Sequence, residues 1–468
     1  MVRSPLLDGG RRARAALSMC ECHLMRSTSI PRAPLISVSN RFFVLPALFS
    51  VELVLGGPYG VYHGVPLRFI LFFGAALSLA AAVHIRGAVS AQSLGALWSI
   101  AAFIVVELVW TTIIPSLSAG VLAYGIAEGR AIFVLVLPLM AVYCIPTASL
   151  EGRVRSLQRF VVRSSALLAI AQVVIWIVGT LVPSTRLPFV VVVDALLSPT
   201  GQSLYIGGMK DGFFRVFWIS SLWHLVAFFW IPLVVTRRSF ALMLRLLALL
   251  AVLVSYSRGI WLGLAAGYLV SIIVRVGERR FVGNIAKATL AITMAVGFLS
   301  IFATVMGQDA RLSGRVLATK SGHDIGINER FEQSSYLFAL FREHPLIGGG
   351  YGAYSKDYIR TTVAPFSYEN MPVAMLAKLG LVGLSMSLIF PLYWAISTLA
   401  RRRWWPRDCA ALLGSATALI IASMTNPMLI NFVGMGIVSV LLLQWSLIVS
   451  ANPPVRGDRI GDQEHFEK

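Results

Sequence analysis

Charged side chains are scarce in this sequence. Only 13% of the 468 residues are Asp, Glu, Lys or Arg, whereas a soluble domain has about a quarter. Hydrophobic residues make up 57%, and the mean hydropathy is +0.77. Apolar stretches of about 17–25 residues recur along the chain, which is the length that spans a bilayer as a helix, whereas a transmembrane barrel has shorter, alternating segments. The composition therefore excludes a soluble domain and predicts an all-α, polytopic membrane bundle.

Cysteine is also scarce, with four residues in the whole chain. Cys20 and Cys22 precede the first apolar segment, and Cys144 and Cys409 fall in or beside predicted helices. No spacing among them is typical of a disulfide framework or a zinc site.

The apolar pattern predicts about twelve transmembrane helices. They lie near residues 42–57, 66–84, 91–114, 131–149, 160–182, 213–235, 240–256, 259–275, 286–306, 371–398, 409–424 and 428–450. This divides the chain into five predicted parts. They are a disordered basic cytoplasmic tail (1–40), helices 1–9 (41–306), one large extracytoplasmic loop (307–370), helices 10–12 (371–450) and a cytoplasmic tail (451–468).

Lys and Arg alternate with nearly uncharged loops along this pattern. The clusters lie at residues 3–41, 153–163, 237–245, 275–287 and 401–407. With both termini inside, all of these clusters would be cytoplasmic. This positive-inside bias predicts the orientation. It also accounts for most of the net charge of +19, so the charge indicates contact with anionic membrane lipids rather than with nucleic acid.

The long extracytoplasmic loop has features of a functional element. Loops of more than about 15 residues are usually functional or disordered, and apolar residues between Phe331 and Phe341 recur at helical spacing. This predicts a helix along the membrane surface. The run His344–Gly352 then follows, and its glycines fit either a phosphate-binding loop or a plain turn.

Several motifs in the second half of the chain together resemble the O-antigen ligase and polymerase family. Tyr256–Gly263 resembles its Ser-Arg-Gly signature, and the likeness continues through Arg330 and His344–Gly352. It ends with Tyr368–Asn370 and Leu376–Gly383. Each motif is weak alone, but their order and spacing are moderately specific.

The resemblance covers residues 250–390 well and the N-terminal half only by hydropathy. It implies a fold like that of the GT-C glycosyltransferases and glycosyl transfer outside the cytoplasm of a bacterial inner membrane. The donor it implies is a glycan linked to undecaprenyl diphosphate, with no cofactor and no metal. Members similar to this chain either polymerise repeat units or ligate the glycan onto lipid A core. Glu369 occupies the position of the ligase histidine, as in several polymerase-like members, which favours a polymerase; Asn370 fits the pattern.

The candidate site residues each have a functional and a structural interpretation. Arg258 and Arg215 would hold the donor diphosphate, because guanidinium pairs well with phosphate oxygens, or they would anchor helices at the membrane interface. Glu369 would be the general base for the acceptor hydroxyl, or an acidic residue favoured by a helix N-terminus. His323 and His344 are alternative bases, with His344 also suited to a turn. Further possible substrate contacts are Arg330 and Asn370, and the roles of Glu52 and Glu107 inside predicted helices stay open.

Two other classes of protein compete with a glycosyltransferase. A transporter would suit twelve helices with buried acids, but the two halves show no repeat. A flippase for the same lipid-linked glycan would also need basic residues, although at several depths of a central cavity. The partners expected are the lipid-linked donor and acceptor, membrane lipids and a chain-length regulator protein.

Overall fold

The fold was examined in a computed structural model. The residues that it describes are 48–49, 67–86, 91–117, 121–144, 147–181, 205–208, 214–275, 325–359, 364–425 and 427–450. The predicted segment 286–306, all of 42–57 except Leu48 and Phe49, and both predicted tails lie outside these residues.

The described residues are almost entirely helical. The helices are α1 (Leu67–Arg86), α2 (Ala91–Leu108), α3 (Leu122–Gly129), α4 (Val136–Cys144), α5 (Thr147–Leu181), α6 (Leu222–Val234), α7 (Arg238–Val254), α8 (Arg258–Val274), α9 (Ile325–Glu343), α10 (Met371–Ala400), α11 (Pro406–Ser423) and α12 (Phe432–Ser450). A π-helical turn (Val109–Ile113) and a further turn (Ile114–Ser116) extend α2, and a 3-10 segment (Arg130–Leu135) joins α3 to α4. The strands β1 (Tyr205–Gly208) and β2 (Phe214–Phe217) form an antiparallel pair.

Five helical stretches of the described residues are long and apolar enough to cross a membrane. They are Leu94–Ser116, Leu122–Val142, Leu150–Thr180, Met371–Ala400 and Phe432–Ser450, and shorter apolar helices cover Ile219–Val234 and Arg258–Val274. The prediction of a polytopic, helical membrane protein is therefore confirmed. The number of about twelve spans stays a prediction.

Three predicted boundaries were wrong. The segment expected at 131–149 begins at Leu122, because the span also includes the buried Glu128, which pairs with Lys378. The segment expected at 160–182 begins at Thr147, since α5 continues beyond its apolar part and Arg155 there pairs with Asp408 of α11 at 2.7 Å. The segment expected at 213–235 begins with strand β2, whose Val216 pairs with Ile206, and α6 starts only at Leu222.

Small residues allow α8 and α11 to pack very closely. A Cβ on Gly263 would overlap the backbone of Ala418, and one on Gly267 would overlap the backbone of Gly414. Small residues at such contacts are typical of membrane helix pairs, because close approach increases van der Waals contact. This packing fixes the start of α8 relative to the end of α11.

The long helix α10 is broken at Gly380. Its backbone there has φ 61° and ψ −172°, a conformation that an L-residue rarely adopts. A loop that follows α9 fills the break: the N–H groups of Leu381 and Val382 donate to the carbonyls of Pro345 and Leu346, at 3.0 and 2.9 Å. Non-helical backbone at membrane depth is tolerated where protein satisfies its polar groups in this way.

The two ends of α11 have different surroundings. At its start, Asp408 pairs with Arg155. At its end, about 27 Å away for 18 residues at 1.5 Å each, the Met371 N–H donates to the Met424 carbonyl at 3.2 Å. The starts of α8 and α10 thus lie at the end of the bundle opposite the Arg155–Asp408 pair.

Candidate active site

The turn between α7 and α8 carries Arg258. Tyr256 adopts a positive φ of 46°, Ser257 is extended and buried, and the exposed Arg258 is the first residue of α8. The helix dipole disfavours a cation at a helix N-terminus. Arg258 therefore does not stabilise α8 through the dipole, whereas an anion there would meet both the guanidinium and the positive end of the helix.

Arg215 is attached to this same turn. It lies on β2, not at the start of a helix as expected, and its Nε donates to the Ser255 carbonyl at 2.8 Å. Its guanidinium also lies 5.1 Å from the centre of the Phe217 ring. The two arginines predicted to hold the donor diphosphate thus meet at one turn, although 43 positions separate them in the sequence.

A buried glutamine of α5, which no motif in the sequence predicted, joins β2, which carries Arg215, to α7, which precedes Arg258. Gln172 Nε2 donates to the carbonyls of Val216, beside Arg215, and of Ala251 in α7, at 2.8 and 3.0 Å. Its Oε1 accepts from the Ser221 hydroxyl at 3.0 Å. A polar residue in the middle of an apolar segment was the signal available in the sequence.

Glu369 lies just before α10 and is held by α9. Its Oε2 contacts Arg330 at Nη2 and Nε, at 3.0 and 3.1 Å, and both side chains are partly buried. The backbone N–H groups of Glu369 and Asn370 both donate to Gln333 Oε1 at 2.9 Å, and Asn370 Nδ2 donates to Ser334 Oγ at 2.7 Å. The sequence predicted Arg330 and Asn370 as substrate contacts, and here they fix the surroundings of Glu369.

The end of α11 connects these two groups of residues. Gly259, next to Arg258, packs against Ala422 and Thr425. Met371, two residues after Glu369, bonds to Met424 of the same turn. Arg258, Arg215, Glu369 and Arg330 therefore belong to elements that meet at one end of the bundle.

The two histidines have different positions. His344 is exposed at the end of α9, and its carbonyl accepts from the Gly348 N–H at 2.8 Å, as expected for a turn residue. It lies 14 positions beyond Arg330, about 21 Å along a helix, which separates it from Glu369. His323 lies outside the described residues, as does Glu52.

The glycine run after His344 forms a packing turn. Gly348, Gly350 and Gly352 have positive φ. The N–H groups of Gly349 and Gly350 donate to the carbonyls of Ala377 and Lys378, at 3.1 and 2.8 Å. Gly352 donates to Glu128 Oε2 at 2.7 Å. Since these donors are used within the protein, the run supports the plain turn and not the phosphate-binding loop.

Acidic residues of the N-terminal half hold this turn in place. The Tyr351 hydroxyl donates to Glu107 Oε2 at 2.7 Å, and burial, together with the carboxylate of Glu107, raises the pKa of Tyr351 well above its usual range. Glu107 thus has a structural partner. Lys378 pairs with Glu128, and neither of these two was assigned a role from the sequence.

No group of three or more His, Cys, Asp or Glu that could hold a metal ion occurs within the part of the chain that the structure describes. The polar side chains described above at this end of the bundle carry guanidinium, carboxylate, amide and hydroxyl groups.

The architecture defines a multi-pass membrane protein with a cationic turn and a paired carboxylate at one end of its bundle. Residues 243–388 match the family model described as O-antigen ligase (Wzy_C), so the chain contains an O-antigen ligase domain. This domain is found in O-antigen ligase/polymerase-type membrane enzymes, which transfer glycans, and it implies lipid-linked glycan substrates. No curated protein and no solved structure matches the chain.

The matched region contains part of the site. Arg258, Arg330, Glu369 and Asn370 lie within residues 243–388. Arg215 and Gln172 lie before it, and the structure joins them to the domain through Ser255 and Ala251.

Proposed function

We propose that the protein polymerises oligosaccharide repeat units linked to undecaprenyl diphosphate into a surface polysaccharide. The observation that carries this proposal is the meeting of the arginine turn (Arg215, Arg258) and the Arg330–Glu369 pair at the end of α11. A transferase of this kind needs a cationic site for the leaving diphosphate and a base for the acceptor. Both are available here at one end of the bundle.

The reaction is a single displacement at the anomeric carbon of the donor glycan. Glu369 accepts the proton of the acceptor hydroxyl as its oxygen attacks this carbon. The bond from the carbon to the phosphate oxygen breaks, its electron pair leaves with undecaprenyl diphosphate, and the configuration inverts. A positioned base contributes roughly 10²–10⁴-fold to the rate of such a step.

The arginines act on the charge that grows on the leaving group. Arg258 and Arg215 would contact the diphosphate oxygens, and removing one such fixed group commonly costs about 10²–10³-fold in rate. Arg330 orients the carboxylate of Glu369, just as a third group orients the base in other catalytic sites. Neither role requires a metal ion or a cofactor.

The position of the charges also supports an extracytoplasmic site. The site end of α11 lies opposite the end where Asp408 pairs with Arg155, and Arg401–Arg403 follow α10 at that second end. Arg401 donates there to the Val449 carbonyl of α12 at 3.2 Å. By the positive-inside rule the arginine-rich end faces the cytoplasm, in a bacterial inner membrane with both termini inside.

The second candidate is a ligase that transfers the finished glycan to lipid A core. The family match favours it as much as a polymerase, and the carboxylate of Glu369 in the ligase histidine position favours the polymerase. A flippase is less well supported, because the charges of the site gather at one end of the bundle.

Deletion of the gene, followed by gel analysis of the surface polysaccharide, distinguishes the polymerase, the ligase and the flippase. A product with a single repeat unit on the acceptor supports the polymerase. Free lipid-linked polymer identifies a ligase, and lipid-linked units retained on the cytoplasmic face identify a flippase. Complementation with the intact gene, and with an Arg258→Ala variant present at the same level, separates catalytic loss from loss of the protein.

A further inference from the structure

A buried ion pair lies between α3 and the first half of α10. Lys378 Nζ contacts Glu128 Oε1 at 2.5 Å, and the two side chains are only 2% and 5% exposed. These residues lie 250 positions apart, and Glu128 is outside the O-antigen ligase domain. Burying two charges is expensive, and an apolar pair of similar volume often stabilises a protein as well. Stability alone therefore does not explain the pair.

Each member of the pair makes a second bond, to backbone. Glu128 Oε2 accepts from the Gly352 N–H at 2.7 Å, and Lys378 Nζ donates to the Phe366 carbonyl at 2.8 Å. Gly352 and Phe366 lie in two described loop stretches, residues 344–359 and 364–370. The ion pair thus contacts both stretches.

The second of these stretches leads directly into the site. Phe366 is three residues before Glu369, and the ring of the intervening Tyr368 lies 5.5 Å from Lys378 Nζ. The Tyr368 hydroxyl accepts from the Ser355 N–H at 2.8 Å, which joins the second stretch to the first. Each of these contacts restricts the position of the backbone that leads to Glu369.

The break at Gly380 leaves Lys378 on a short first part of α10. Only nine residues of α10, Met371–Leu379, precede the break, so the part of the helix that follows Glu369 is short. Lys378 is the only charged residue of these nine. Its bond to Glu128 attaches this half-helix to α3.

We propose that Lys378 and Glu128 are positioning residues for Glu369. Together they fix the half-helix Met371–Leu379 and the backbone at Gly352 and at Phe366, and so set the position of the carboxylate relative to the arginine turn. The proposal rests on the proposed function, in which Glu369 is the base. Misplacing a reacting group by about 1 Å can reduce the rate roughly 10²-fold.

The first test is Lys378→Met in the purified full-length protein, supplied with lipid-linked repeat units isolated from the deletion strain. The variant keeps the length of the side chain but removes both the ion pair and the bond to Phe366. We expect kcat to fall about 10–100-fold, while KM for the lipid-linked unit changes by less than about twofold. Lys356→Met, which removes an exposed lysine of the stretch 344–359, is the matched control and should retain wild-type kcat.

Two double variants keep the test valid if Lys378→Met does not fold. Glu128→Gln/Lys378→Met leaves no uncompensated charge, and Glu128→Lys/Lys378→Glu keeps an ion pair with its polarity reversed. In the reversed pair the lysine cannot accept from Gly352 and the carboxylate cannot donate to Phe366. We expect both double variants to be folded, as judged by monodisperse elution and thermal melting, and still to have a kcat reduced at least tenfold. Wild-type kcat in either one would reduce the pair to a structural contact and overturn the proposal.

A double-mutant cycle separates this proposal from the proposed function. If Lys378 acts through Glu369, then Lys378→Met should reduce kcat by less than about threefold in a Glu369→Gln background. The reason is that the effects of residues that act as a unit are not additive. If the fold-reductions in kcat of the two single variants multiply in the double variant, the positioning role is overturned and Glu369 is left as the base. Full activity of Glu369→Gln alone would instead contradict the proposed function.

Discussion

Replacing Glu369 with glutamine tests the chemistry of the site most directly. Glutamine keeps the shape of the side chain and an oxygen that accepts from Arg330, but it does not accept a proton at neutral pH. Loss of the base should reduce turnover by about 10²–10⁴-fold, which corresponds to roughly 3–5 kcal/mol in the barrier. The Arg330–Glu369 pair is partly exposed, at 34% and 20%, and such a pair contributes at most about 1 kcal/mol to stability. The rate should therefore fall far more than the stability.

The assay is elongation of isolated lipid-linked repeat units by the purified variant, with binding of the donor measured separately. Glu332→Gln, which changes an exposed acidic residue of α9, is the matched control. This variant should elongate at the wild-type rate. Glu369→His tests the ligase comparison, in which the family resemblance implies a histidine at this position, and should retain more activity than Glu369→Gln. Near-normal elongation by Glu369→Gln would refute the general-base role. Arg330→Ala would then show whether the ion pair itself has any effect.

Three further predictions concern the topology and the arginine turn. Reporter fusions after Gly60, Thr200 and Lys320 should be extracytoplasmic, and fusions after Arg155, Arg238 and Arg403 cytoplasmic; a cytoplasmic Lys320 fusion would contradict the orientation. Arg258→Lys should lose most of the polymer made in cells although the protein stays in the membrane, because lysine does not reproduce bidentate phosphate contact, and normal polymer from Arg258→Ala would leave only an anchoring role. Gln172→Leu should leave two buried carbonyls without their donor, which costs about 1–3 kcal/mol and lowers the melting temperature; an unchanged melting temperature would mean that other donors replace the glutamine.

Hydropathy predicted most of the helices well. The segments expected near 66–84, 91–114, 240–256 and 259–275 appear within a few residues as α1, α2, α7 and α8. The helix inferred from Phe331–Phe341 is α9, although its place at a membrane surface stays a prediction. These elements follow from local periodicity, which is a property of neighbouring residues and so is visible in one sequence.

The errors occurred where a distant residue decides the local structure. The segment predicted at 131–149 did not include Glu128. An acid is costly inside a membrane, but Lys378 compensates the charge of Glu128 from 250 positions away. The residues of β2 were assigned to a helix because apolar residues predominate over 213–235, but pairing with Tyr205–Gly208 makes Phe214–Phe217 a strand. No local pattern carries information of this kind.

Contacts between distant residues also limited the prediction of the candidate site. The sequence selected Arg258, Arg215 and Glu369 one by one, through a motif or a position near a helix end. It could not predict that Arg215 would bond to Ser255 or that Arg330 would hold the carboxylate of Glu369, because these contacts depend on how β2 and α9 dock. The sites themselves remain predictions for the experiments above.

These contacts connect the O-antigen ligase domain to helices that precede it in the sequence. The O-antigen ligase domain, residues 243–388, contains the turn, the carboxylate and α9. Further groups that hold its elements in place come from outside it: Gln172 from α5, Glu128 from α3, and Trp110, whose indole donates to the Ile347 carbonyl at 2.7 Å. These contacts are buried hydrogen bonds and an ion pair, which are costly to leave unsatisfied in a membrane. The N-terminal helices therefore constrain the geometry of the site through specific polar contacts, in addition to spanning the bilayer.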